Sequence, residues 1–222
     1  MQEKLGISDT VVAICQDREN WQGSYYELGM GFAQDLLDQQ ARLHLLQYLW
    51  QDSHLLGVLK APNEFGQPWQ SLGAVETTSG YHSYGCIRLD DTCTIGCGTF
   101  LSQVEEQLWL VLYIPLAMLG LVYAVDYDQP VTHEGNLWTF EVDKVLASIG
   151  RRIYHEIPFT LGVMGEEASA SLLERLMKKL ARDSGLLVPE LLFRRMGITP
   201  HGVRSPEGLW WTGGKEGKEY HR

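Results

Sequence analysis

The apolar and polar positions of this chain are arranged around one central stretch, LWLVLYIPLAMLGLVYAV at residues 108–125, which carries no charge. It is bounded by Glu105 and Glu106 on one side and by Asp126 and Asp128 on the other. A run of this length approaches the roughly 20 apolar residues of a membrane-spanning helix. Pro115 near its middle would remove a helix hydrogen bond, and neither flank carries the Lys or Arg that orients a span. The run therefore splits at the proline. Residues 108–114 lack polar alternation and suit a central strand covered on both faces. Pro115 fits the first turn of a short helix that continues through LAMLGLVYA, and burial of the whole 108–125 stretch is expected.

Alternation marks further strands. SYYELGMGF, from Ser24 to Phe32, places Tyr26, Leu28, Met30 and Phe32 on one face. YGCIRLDD (84–91) and CTIGCGTFLSQV (93–104) precede the central strand, and the short connections between them favour antiparallel hairpins. TVVAIC (10–15) also reads as a short strand, and HEIPFTLGVMG (155–165) as an extended edge segment because of Pro158 and Gly162.

Helical spacing appears twice with force. Leu36, Leu37, Leu43, Leu46 and Trp50 form one apolar stripe, and Val142, Val145, Leu146, Ile149 and Ile153 another between Trp138 and Tyr154. Glu166 and Glu167 open a further helix whose end carries Lys178, Lys179 and Arg182, the charge order that a helix dipole favours. A last short helix runs from Pro189 to Gly197, and residues 57–82, with Pro62 and Pro68, read as loop.

Together these elements predict an α+β fold: a single domain, residues 1–205, whose mainly antiparallel central sheet of three or more strands around 84–114 is packed by several helices. Residues 206–222 form a Gly-rich C-terminal tail carrying a Trp pair.

Charge sharpens the picture. The net charge is −10. Residues 151–222 hold twelve Lys and Arg against nine Asp and Glu, a net of +3, and residues 1–150 hold six against nineteen, a net of −13. The acidic N-terminal two-thirds is unsuited to direct nucleic-acid binding, which needs cations against phosphate, and suits a basic protein partner. Four cysteines and an N-terminus without a basic, then apolar, leader point to reduced thiols, a cytoplasmic location and no membrane partner.

Candidate chemistry is sparse. His82, Cys86, Cys93 and Cys97 have zinc-ligand types without a short knuckle spacing. On a strand Cys93 and Cys97 would stand about 13 Å apart, so the reading is buried thiols and no metal. His155 with Glu166 and Glu167 is the place for acid–base work if the protein is an enzyme, although adjacent helical residues point about 100° apart. Gly29-x-Gly31 lacks the third glycine of a dinucleotide fingerprint, Gln34 standing there. GLWWTGGK (208–215) has one residue too many for a phosphate loop, and Glu216 follows it where Ser or Thr should be. His133-Glu134 lacks the second His of a zinc protease, there is no nucleophile elbow, and no cofactor is expected. Trp210 and Trp211 are candidate interface anchors, since extended neighbours point opposite ways.

The reading that follows is a non-enzymatic protein-binding module: a neutralising, adaptor or accessory subunit docking through an acidic face or the aromatic tail, with a second copy of itself as one such partner. The alternative is a small enzyme or ligand-binding protein with a His/Glu-lined pocket beside the sheet.

Overall fold

The computed structural model describes residues 8–33, 39–58, 82–104, 107–125, 127, 131, 136–167, 185–197, 199–200 and 202–212. Nearly all of the expected 57–82 loop, the body of the helix expected after Glu167, and residues 213–222 of the tail lie outside them. The described strands are β1 (Tyr25–Ala33), β2 (Leu55–Val58), β3 (His82–Arg88), β4 (Thr94–Val104), β5 (Gln107–Pro115), β6 (Leu161–Glu166), β7 (Leu186–Pro189), β8 (Val203–Arg204) and β9 (Leu209–Thr212). The described helices are α1 (Asp9–Gln16), α2 (Gln39–Leu49), α3 (Leu116–Gly120), α4 (Trp138–Glu156) and α5 (Glu190–Met196), with a 3-10 turn at Arg18–Trp21.

All nine strands join one antiparallel sheet in the order β2-β3-β4-β5-β1-β6-β7-β9-β8. The α+β single-domain expectation holds, and β3, β4 and β5 form the expected meander. β1, from near the N-terminus, is inserted between β5 and β6 at the centre. Its even positions Tyr26, Leu28, Met30 and Phe32 share a face and are all buried. Its odd positions include Gly29 and Gly31, and the Trp109 ring fills the space above the latter. A Cβ at Gly31 would lie 3.0 Å from that ring. Gly31 thus serves packing, and both glycines lie within an antiparallel strand, where no phosphate loop forms.

The split at Pro115 is observed: β5 is buried along its length after Gln107, and Leu116 N donates to Ser24 O (3.0 Å) as the chain turns into α3. The proline closes the strand and stands just before the helix rather than within its first turn. Burial then stops at Leu119. Leu121 and Val122 are 54% and 44% exposed, which corrects the expectation of burial through residue 125.

Two layers cover the sheet. α4 lies over β1, β6, β7 and β9 on one face; a Cβ at its Gly150 would meet Leu187 and Leu28. α1, α3 and the 3-10 turn pack around β4 and β5. Trp21 stands edge-on to Tyr84 at 5.1 Å and donates its indole N–H to Cys15 O (2.7 Å). Among the described residues no helix is long and apolar enough to cross a membrane.

Three local expectations are overturned. Residues 10–15 are helical: Ser8 Oγ accepts from Val11 N (3.3 Å) and Asp9 occupies the first turn, so the N-terminal cap outweighs the β-branched Thr10, Val11 and Val12. β6 is internal, between β1 and β7, because Pro158 precedes the strand and Gly162 makes room for the Leu187 side chain. Glu166 is the last residue of β6 and opens no helix; Glu167 follows it at φ 45. Apart from these, Ser205, after which the Gly-rich tail is expected to begin, stands between β8 and β9, and its Oγ accepts from Leu209 N (3.2 Å).

Candidate functional site

His155, near the end of α4, opens onto a cleft of about 340 Å³ lined by Tyr48, Arg151, Arg152, Ser205, Pro206 and Glu207. Glu166 and Glu167 are elsewhere. Glu166 pairs with Tyr26 in the sheet, Tyr26 bonds Asp143 of α4, and His155 lies twelve positions further along that helix, about 18 Å at 1.5 Å per residue. Glu166 accepts from Val131 N (3.0 Å), and Glu167 donates its N–H to Tyr25 O (3.0 Å). The three expected catalytic residues therefore do not form one site.

The His155 cleft is balanced in charge. Arg152 bonds the buried Asp52 (3.1 Å) and lies 4.6 Å above the Tyr48 ring. Burial works against the Asp52 charge, but the His54 N–H and ring nitrogen, both 2.9 Å from its Oδ1, together with Arg152, outweigh burial and hold its carboxyl below the usual range. Glu207 is likewise held low by its own backbone N–H and by Ser205, and then by His155 and Arg151. Asp52 is paired with Arg152, and Glu207 lines the same cleft as Arg151 and His155; cations at the end of α4 also answer the helix dipole. The cluster ties α2, α4 and the β8–β9 turn together.

The sulfurs and His82 form no ligand set. Among the described residues no group of three or more His, Cys, Asp or Glu could hold a metal. His82 stacks on Phe100 (5.6 Å, 19°), and burial lowers its pKa. Cys86 meets Cys15 rather than Cys93 or Cys97.

Trp210 and Trp211 lie in β9, paired with Val188 and Leu187 of β7. They point to opposite faces, both half-buried. Trp210 packs edge-on to Phe193 (6.4 Å, 82°). Both indole N–H groups are buried, and neither makes a hydrogen bond among the described residues.

A surface that sequence reasoning missed lies toward the start of α4. Leu121, Val122, Tyr127 and Leu137 are 54%, 44%, 62% and 76% exposed, all within one stretch linking α3 to α4. Tyr123 anchors that stretch by stacking on Trp138 (5.9 Å, 19°). Its hydroxyl pKa is raised by burial and then by the fields of Cys93, Asp90 and Glu141. Asp90 is fixed in the β3–β4 turn: its Oδ1 accepts from Thr92 N (2.7 Å), Thr92 Oγ1 (2.8 Å) and Cys93 N (2.8 Å), which lowers its pKa. Asp91 beside it is exposed. The available signal was the acidic boundary of the apolar run; its last residues were mistaken for core.

No family model, curated protein or solved structure matches this chain.

Proposed function

We propose that the protein is a non-enzymatic protein-binding module, and that its acidic face is the surface around Leu121, Val122, Tyr127 and Leu137. One observation carries this reading: four large apolar side chains, Leu121, Val122, Tyr127 and Leu137, are exposed between the end of α3 and the start of α4, where Tyr123 feels the fields of Asp90 and Glu141. Soluble proteins rarely leave such groups together without a use, and an apolar centre with a charged rim is the anatomy of a docking face. The acidic rim selects a partner presenting apolar side chains among Lys and Arg, through complementary potential. A cytoplasmic setting fits the unpaired thiols.

The second reading, a small enzyme or ligand binder, draws on the cleft that His155 and Glu207 both line. The pairing of its charges favours a structural role, and the docking reading is preferred.

The test is a parallel capture from cytosol with the intact chain and with a Leu121→Ser, Leu137→Ser double variant. The docking reading expects a stoichiometric partner, basic in composition, that the variant fails to hold and that salt weakens. Equal capture by both chains moves the contact to another surface. If the intact chain instead forms a dimer that the variant loses, a second copy is the occupant.

A further inference from the structure

Cys15 and Cys86 are 71 residues apart in sequence and meet in the core with their sulfurs 3.7 Å apart. Each sits on a defined element. Cys15 is in the last turn of α1, whose following chain is fixed by the Trp21 indole donating to Cys15 O (2.7 Å). Cys86 is inside β3, paired with Gly96 of β4. The packing admits this approach because Gly96 has no side chain: a Cβ there would lie 3.0 Å from the Cys15 sulfur and 2.6 Å from the Met118 sulfur. α1 and α3 both rest on that glycine. A disulfide requires about 2.05 Å between sulfurs, so a closing movement of about 1.7 Å remains. A small shift of α1, a helix of eight residues, can supply it.

We propose that Cys15 and Cys86 are a peroxide-modification site, a thiol pair that closes to a reversible disulfide and staples α1 to the sheet. In the first step the Cys15 sulfur attacks hydrogen peroxide. An S–O bond forms, the O–O bond breaks, and hydroxide leaves as water after taking the thiol's proton. In the second step the Cys86 sulfur attacks the Cys15 sulfenic acid. The S–S bond forms, the S–O bond breaks, and a second water departs with the Cys86 proton. Two sulfurs are oxidised and one peroxide is reduced to two waters.

The roles follow from the pair's asymmetry. The hydrogen bond from Cys86 lowers the Cys15 thiol against the opposing effect of burial, and the same contact and burial push Cys86 up. Cys15, carried by the short α1, is the sulfur that peroxide reaches first when that helix opens locally, whereas Cys86 lies inside β3. Cys97 does not compete. It pairs with Gly85, one position off the Cys86–Gly96 pair, so it projects to the opposite face of the sheet. Burial pushes its thiol well above the usual range. Cys93, ahead of β4, is half-buried and is also raised.

The experiment treats the reduced full chain with hydrogen peroxide and reads intact mass, linkage and melting temperature. The expected product has lost two hydrogens, yields a peptide joining Cys15 to Cys86, and reverts with dithiothreitol. It melts roughly 5–15 °C higher. Cys15→Ser and Cys86→Ala each abolish the hydrogen loss at this pair, while a Cys93→Ser, Cys97→Ala variant still cross-links. Oxygen adducts at Cys93 in place of hydrogen loss, a linkage between any other pair, or an unchanged melting temperature in the cross-linked chain overturns the proposal.

Discussion

The Tyr26 hydroxyl donates a 2.8 Å hydrogen bond to Asp143 Oδ1, joining the central strand β1 to the long helix α4. The two residues are 2% and 1% exposed. Burial, and then the neighbouring carboxylate, raise the tyrosine's pKa well above its ordinary value. The hydroxyl therefore remains a donor throughout the range in which the fold exists. The bond fixes which turn of α4 lies over β1.

Tyr26→Phe keeps the ring and its edge contact with Trp138 (5.3 Å) but removes a donor from a buried carboxylate. A loss of about 2 kcal/mol is expected, read as a lower urea midpoint with an unchanged slope. A midpoint equal to that of the parent would show that the bond contributes nothing net.

Two glycines of similar backbone conformation should respond differently to alanine. Gly197 ends α5 at φ +67 with nothing within 4 Å of an added Cβ, so Gly197→Ala meets only backbone strain, about 1 kcal/mol. Gly202 has φ +103, and a Cβ there would lie 2.1 Å from the Trp211 carbonyl oxygen, a backbone atom that cannot rotate away. Gly202→Ala should cost at least about 3 kcal/mol and loosen β8 from β9. Thermal melts of the two variants compare the effects, and equal losses would contradict the contact.

The structure also places a limit on acid stability. The Asp52 carboxyl is held below its ordinary range in the folded chain, so the folded state binds its proton less readily than the unfolded state does. Its contribution is complete above about pH 4, the unfolded range, and is lost as pH falls through the lower folded value. Asp52→Asn should cost about 3 kcal/mol at pH 7, because Arg152 and His54 lose a buried partner. The gap between parent and variant should narrow on acidification below pH 4. A gap independent of pH would assign the loss to packing instead.

What was legible in the sequence was local or uniformly apolar. β5 and the even face of β1 were readable because both are buried along their length, and α4 because its apolar stripe persists through nineteen residues. α1 was misread because Thr10, Val11 and Val12 favour strands, while the deciding signal was one capping serine. The internal position of β6 depends on pairing with β1, more than a hundred residues earlier in the chain. The sites follow the same rule: His155 was picked out, but its neighbours Tyr48 and Glu207 come from distant elements. Leu121 and Val122 continue an apolar run without a break, so only the end of α3 marks where they emerge into solvent.

Removing the C-terminal chain after Ser205 tests the place of the tryptophan pair in the fold. That cut deletes β9, which pairs with β7 on one side and β8 on the other, and it takes with it the buried Leu209 and the half-buried Trp210 and Trp211. β7 would be left as an exposed apolar edge, with Leu186, Leu187 and Val188 at 2%, 0% and 0% exposure in the intact fold. The truncated chain is expected to lose more than about 5 kcal/mol and to aggregate, whereas Trp210→Ala, which removes one ring from Phe193, should cost about 2 kcal/mol and leave a folded chain that elutes like the parent. Circular dichroism melts with size-exclusion chromatography measure both. A truncated chain that melts like the parent would return the pair to the role of a detachable docking tail.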